Sequence, residues 1–331
     1  MTQDPATPSA DAPASPRTVV TTALAFATVG LALYGGLYAG SEALIARHGV
    51  RNRFFMVANA PLPKYDYVIL GASHAGVLDY RQMNDALEQA LGGRVINLSM
   101  VGAGPVVNRL ALDYFLAGHD AATVVYLVDS FAFYKADWNE DRLADARLFQ
   151  RAPFDPALVR ALVASPAPLE TKVGYVSGFL KINNHDRFGS DLREEEGSRF
   201  ERTYRPVPQI DEQRLAYLYP PAIDEAVRQR RDRYLGELEA MIATVQARGG
   251  RFVAVRPPIP DRILTRLPGE AEFDTVLAER LARAGVELHD LSRVDNDPAL
   301  FYDSDHLNQA GTQKLIAQLA SRLTTRHSHD R

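Results

Sequence analysis

From Asp66 onward, short apolar runs alternate with amphipathic stretches of helical period, and few architectures accept that rhythm. Tyr67–Leu70 is a continuous apolar run ending at Gly71, as expected of a strand covered on both faces. Val77–Leu91 has a helical pattern stopped by Gly92 and Gly93. Arg94–Ser99 reads as a second strand, Pro105–Ala117 as a second helix with proline in its first turn, and Thr123–Val128 as a third strand. Asp224–Arg248 carries an apolar stripe, including Tyr234, Leu238, Met241 and Val245, closed by Gly249 and Gly250. Arg251–Val255 is a fourth strand, Glu272–Ala284 a helix, Val286–Leu288 a short fifth strand and Gln309–Arg326 a terminal helix. Strands alternating with helices of this length predict an α/β fold built on a doubly wound parallel sheet.

The rhythm breaks between the third strand and Asp224. Residues from about 135 to 222 contain Trp138, the Asn183-Asn184-His185-Asp186 run and the acidic Glu194-Glu195-Glu196. A structureless loop of this length is unusual in a compact domain, so the segment predicts an inserted, mainly helical subdomain or lid.

The front of the chain is different in kind. Residues 1–17 are mostly Pro, Ala, Ser, Thr and Asp, without apolar periodicity, and predict a disordered tail. Thr18–Ser41 then contains no charged residue and is long enough to cross a bilayer as one helix, a transmembrane anchor. The alternative is an Ala/Gly-rich core helix. Residues 42–65 read as a linker, 66–326 as the main domain and 327–331 as a frayed tail, where His327 and His329 offer only weak metal-ligand character. Every candidate site residue lies beyond Asp66, so removal of residues 1–42 is expected to leave a folded domain.

Composition excludes several classes. The 331 residues have a net charge of -4, which gives no general basic field for nucleic acid. There is no cysteine, so thiol nucleophiles, disulfides and cysteine-bound metals are excluded together. No Gly-rich phosphate loop or HExxH metal motif occurs. No metal and no cofactor is expected.

Ligands of open parallel sheets bind beyond the carboxyl ends of the strands, so the residues there are the site candidates. The first strand is followed by Gly71-Ala72-Ser73-His74, the second contains Asn97 and leads to Gly102, and the third runs into Asp129-Ser130. Asp303 and His306 precede the last helix. A serine at a strand-to-helix turn needs a base to take its proton and a group to orient that base. His306 and Asp303, three apart, can emerge from one tight turn and supply both. Asp305 lies in the same turn, but so short a segment is expected to place only one acid behind His306, and Asp303 is the better placed. Gly102 and Ser73 can offer backbone N–H groups to a developing oxyanion, with Ser130 as a further donor. Asp129 is expected to turn away. His74 and Asn97 are candidates for substrate binding.

This pattern resembles the SGNH/GDSL hydrolase superfamily, through Gly71-Ala72-Ser73, Asn97 with Gly102 five residues on, and Asp303 with His306 before the last helix. The resemblance spans about Tyr67 to Leu323 and departs from the family at the third strand, where Asp129-Ser130 stands in place of the usual Gly-x-Asn-Asp. It implies a flavodoxin-like sheet, a Ser-His-Asp triad and acyl-ester chemistry. With its single span, the chain looks most like the membrane-anchored branch that acts on envelope polysaccharides, typified by alginate O-acetylation and DltD-like proteins.

Two functional readings follow. One is a serine esterase or O-acyltransferase anchored in the inner membrane and acting on an envelope or exopolysaccharide glycan. The other is a non-catalytic scaffold of the same fold that binds polymer or partners a membrane acyltransferase. Arg47, Arg51 and Arg53 after the span favour a cytoplasmic domain by the positive-inside rule, whereas a glycan substrate requires a periplasmic or extracellular one.

Overall fold

The computed structural model describes residues 15–48, 52–184 and 199–324. Arg51, His185, Asp186, Glu194, Glu195, Glu196, His327 and His329 lie outside the described residues.

Helix α1 (Pro16–His48) is followed by α2 (Arg53–Ala58), strand β1 (Lys64–Leu70), α3 (Ser73–Gly76), α4 (Met83–Leu91), β2 (Val95–Asn97), α5 (Pro105–Leu116) and β3 (Asp120–Leu127). The insertion carries α6 (Glu140–Ala144), α7 (Pro156–Ala164), α8 (Leu169–Val176), α9 (Phe179–Ile182) and a helix over Pro208–Leu218. The chain then continues through helix Glu225–Ala247, β4 (Arg251–Arg256), helix Glu270–Arg283, β5 (Glu287–Asp290) and helix Gln309–Leu323.

The five strands form one parallel sheet in the order β2-β1-β3-β4-β5, the flavodoxin-like arrangement. Alternation of the strands sorts side chains to two faces. Val68, Leu70, Val124, Tyr126 and Phe252 pack with α5 and the Glu225–Ala247 helix. Tyr67, Ile69, Val125, Leu127 and Val253 pack with α4 and the terminal helix. Apolar residues of the insertion, including Leu143, Phe149, Leu158 and Tyr175, join the α5-side cluster, so the insertion shares that core.

Strand order and class agree with the sequence reading; one helix does not. Residues 77–91 are broken by a short turn of 3-10 helix over Val77–Asp79 and by Arg81, whose φ is 52°. Both Val77 and Leu78 are buried, and so are Met83, Leu87 and Leu91. Leu78 and Met83 are five positions apart, which no single helical stripe accommodates, and the turn at Arg81 absorbs the slip. β1 and β3 each start three residues before the apolar run; those residues alternate exposed and buried in β1 and are exposed or half-buried in β3, so the pattern fades.

The proposed linker is largely helical. α1 continues through Glu42 and Ile45, and its last turns pack on α9. Glu42 forms an ion pair with Lys181, whose side chain is fully buried beside the rings of Tyr38, Phe154 and Tyr175. Removal of residues 1–42 therefore takes away the partner of a buried ammonium. Breaking such a pair from one side leaves a buried charge, whereas removing both charges costs little. Glu42→Gln is expected to destabilise the detergent-solubilised chain by about 3 kcal/mol in denaturant unfolding. Glu42→Gln with Lys181→Met is expected to recover most of that loss. A neutral Glu42→Gln variant would contradict this packing.

Candidate active site

β1 and β3 are neighbours, yet the chain passes through β2 and α5 between them, which opens a crevice at their carboxyl ends. Gly71 closes β1 with φ +139°, and a Cβ there would lie 2.8 Å from the Leu127 carbonyl oxygen of β3. Only glycine permits that bend, which turns the chain into α3 and sets Ser73 at its first position. Buried Asn108 secures the same corner. Its amide oxygen accepts from the Gly71 N–H at 2.9 Å, and its NH2 group donates to the carbonyls of Ala103 and Gly104.

Ser73 Oγ lies 2.8 Å from His306 Nε2. His306 Nδ1 lies 2.9 and 3.0 Å from the two carboxylate oxygens of Asp303. Asp303 also accepts from the backbone N–H of Asp305 and of His306, so one side chain shapes the turn and orients the ring. Tyr302 stacks on the imidazole at 5.5 Å with an interplanar angle of 9°. Burial would raise the Asp303 pKa, but His306 outweighs it and holds the carboxyl below its ordinary value. Ser73 and His306, 233 positions apart, thus meet in a hydrogen-bonded row with Asp303.

Gly102 sits at φ +67° in the turn after β2, where a Cβ would be 3.2 Å from the Trp138 ring. Its partly exposed N–H makes no hydrogen bond among the described residues. The Ser73 N–H, at the first helical position, has no intrahelical acceptor.

Three sequence-suggested roles change. Ser130 was a candidate oxyanion donor, but its hydroxyl donates to Glu270 at 2.5 Å and contacts the Tyr219 hydroxyl at 2.6 Å. With its one proton committed, that hydroxyl has none for a substrate. Asn97 is buried and ties the end of β2 to α3: it donates to the Ala75 carbonyl and accepts from the Ser99 backbone N–H and hydroxyl. Its polar groups are spent on that tie rather than turned to a substrate. His74 does not present a free ring either. Its Nδ1 lies 2.5 Å from Asp129 and its Nε2 3.4 Å from Asp305, an ion pair on each side.

Asp305, passed over on the length of its turn, also lies 3.4 Å from His306 Nδ1. The turn therefore brings two acids to the base. Arg214 reaches in from the insertion, its Nε 2.9 and 3.0 Å from the Asp305 oxygens and its Nη2 3.5 Å from His306 Nε2. Burial would raise the Asp305 pKa, but His306, Arg214 and His74 together hold it well below the carboxylate range. Arg214 carried no sequence signal, because its partner is 91 residues away. His74, Asp305 and His306 bring possible metal-ligating atoms within 4.8 Å of one another. His306 is bonded to Ser73 and Asp303, and Asp305 to Arg214, whereas His74 Nε2 makes no hydrogen bond among the described residues.

No family model matches the chain, and no curated protein matches it. Among solved structures it is similar to a candidate acylhydrolase from Bacteroides fragilis, at 13% identity and a TM-score of 0.41, covering 81% of this chain and 95% of the other. It is also similar to a candidate platelet activating factor from Streptococcus pneumoniae, at 14% identity and a TM-score of 0.41, covering 90% and 99%.

Burial opposes charge on His74, but Asp129 and Asp305 outweigh it and push its pKa from 6.5 up to about 10. The folded state therefore holds this proton more tightly than the unfolded one. The stabilisation is complete below pH 6.5 and is lost as pH rises through about 10. In denaturant unfolding, the stability gap between wild type and His74→Gln is expected to shrink steadily across that window. A gap independent of pH would show that His74 is neutral in the folded protein.

Proposed function

We propose that the protein is a membrane-anchored serine acyl-ester hydrolase or O-acyltransferase of the SGNH/GDSL type, acting on a cell-envelope or exopolysaccharide glycan. The observation that carries this reading is the 2.8 Å contact of Ser73 Oγ with His306 Nε2, backed by Asp303 on Nδ1.

In this reading Ser73 Oγ attacks the ester carbonyl while its proton passes to His306 Nε2. Asp303 remains ionised and stabilises the imidazolium. The Ser73 and Gly102 N–H groups receive the oxyanion. His306 then returns the proton to the departing alkoxide, leaving an acyl-serine. A second hydroxyl, of water or of a glycan, attacks the acyl-serine with its proton going to His306, and Ser73 Oγ leaves by taking that proton back from His306 Nε2. Asp129, next to Ser130 where the family's Gly-x-Asn-Asp would stand, pairs with the His74 ring, so it need not repel the oxyanion.

α1 is long and apolar enough to span a membrane. As an anchor in the inner membrane it would hold the catalytic domain in the periplasm or outside the cell, where an acetylated glycan is found. A membrane acyltransferase is the natural source of acyl groups if the enzyme is a transferase.

Ser73→Ala removes the nucleophile from a turn that tolerates alanine. It is expected to lower kcat on a small acyl ester by about a thousandfold or more, with an unchanged melting temperature. Activity that survives the substitution in a folded protein would refute the assignment. Partition of the acyl group between water and an added oligosaccharide then separates esterase from transferase.

A further inference from the structure

The insertion exposes an apolar face that the catalytic reading does not use. On α8, Leu169, Val173 and Val176 are 75%, 56% and 43% exposed, and Phe179 at the start of α9 is 54% exposed. The spacing i, i+4, i+7 puts the three α8 residues on one stripe, while Thr171, Gly174 and Tyr175 face the core. Lys172, the basic residue of α8, folds away from that stripe and donates to the carbonyls of Val163 and Ser165 near the end of α7.

This face has a fixed place relative to α1. The Tyr34 hydroxyl donates to the Ser177 carbonyl at 3.0 Å, and the Tyr38 ring packs against Gly178. Ser177 and Gly178 are the corner between α8 and α9. Tyr34 lies seven residues inside the end of the uncharged run at Ser41, or about 10 Å along the helix axis. If that run is in lipid, the α8–α9 corner reaches back beside its last two turns. The buried Lys181–Glu42 pair prevents α1 from swinging clear of it.

We propose that the exposed face of α8 and the start of α9 is embedded in the bilayer interface, its occupant the lipid acyl chains around α1. The proposal rests on the reading of α1 as a membrane span. It makes the insertion a monotopic foot that fixes the tilt of the catalytic domain over the membrane, as amphipathic interfacial helices do. The depth of Tyr34 and the apolar stripe agree independently on the same surface.

The chain has no cysteine, so single cysteines report unambiguously. Val173→Cys, Phe179→Cys, the exposed control Glu279→Cys and the anchor control Leu24→Cys are each labelled with bimane. The full chain is reconstituted in phosphatidylcholine vesicles. Lipids brominated on their acyl chains are expected to quench the labels at 173, 179 and 24 but not at 279, and aqueous iodide the reverse. Quenching at 24 without quenching at 173 and 179 overturns the foot and keeps the anchor. Labels at 173 and 179 shielded from both quenchers would mean that a second protein surface covers the face, which also overturns the proposal. Absence of lipid quenching at 24 removes the anchor itself.

Discussion

A small set of buried charges at the carboxyl ends of β1 and β3 holds the site together. Asp129 lies just beyond β3, His74 follows Ser73, Asp305 belongs to the turn of Asp303 and His306, and Arg214 comes from the insertion. Each of these buried carboxylates faces a basic side chain, Asp129 the His74 ring and Asp305 the Arg214 guanidinium. The His74 ring lies between the two acids, one just after β3 and one just before the last helix. Through Asp305 the same charges lie against Nδ1 of His306. The position of the His306 ring thus depends on four separate parts of the chain.

The insertion is part of this arrangement. Arg262 donates to Asp211 in the Pro208–Leu218 helix and to the carbonyl of Ser304 in the catalytic turn, a second clamp beside Arg214. Trp138 closes over Gly102 from the same insertion. A segment that interrupts the βα rhythm therefore reaches Asp305 and His306 through Arg214 and Gly102 through Trp138, and at its far edge it carries the contact with α1.

The parallel sheet was legible because buried strands leave continuous apolar runs and glycine marks their ends. Ser73, Asp303 and His306 were legible because their spacing is local: a turn after a strand, and two residues three apart. What failed was either a register or a long-range partner. The helix over 77–91 is broken because Leu78 and Met83 both face the core across an awkward spacing. Ser130 and Asn97 carry the right chemistry in the right places, but hydrogen bonds to Glu270 and Ala75 use it up. Arg214 and the pairing of His74 with Asp129 depend on contacts made only after folding, and no motif announces them. Asp305 was within sight in the sequence, but the reach of so short a turn was underestimated.

The central claim is that Ser73 is a nucleophile activated by His306. Fluorophosphonates react with a serine only when its hydroxyl is activated by a base, and they leave a covalent mark whatever the natural acyl donor or polymer is. Labelling of the full chain followed by peptide mass spectrometry should place the adduct on Ser73, and His306→Ala should abolish it while the protein stays folded. A folded wild-type protein that takes no label, or takes it on another serine, would contradict the account.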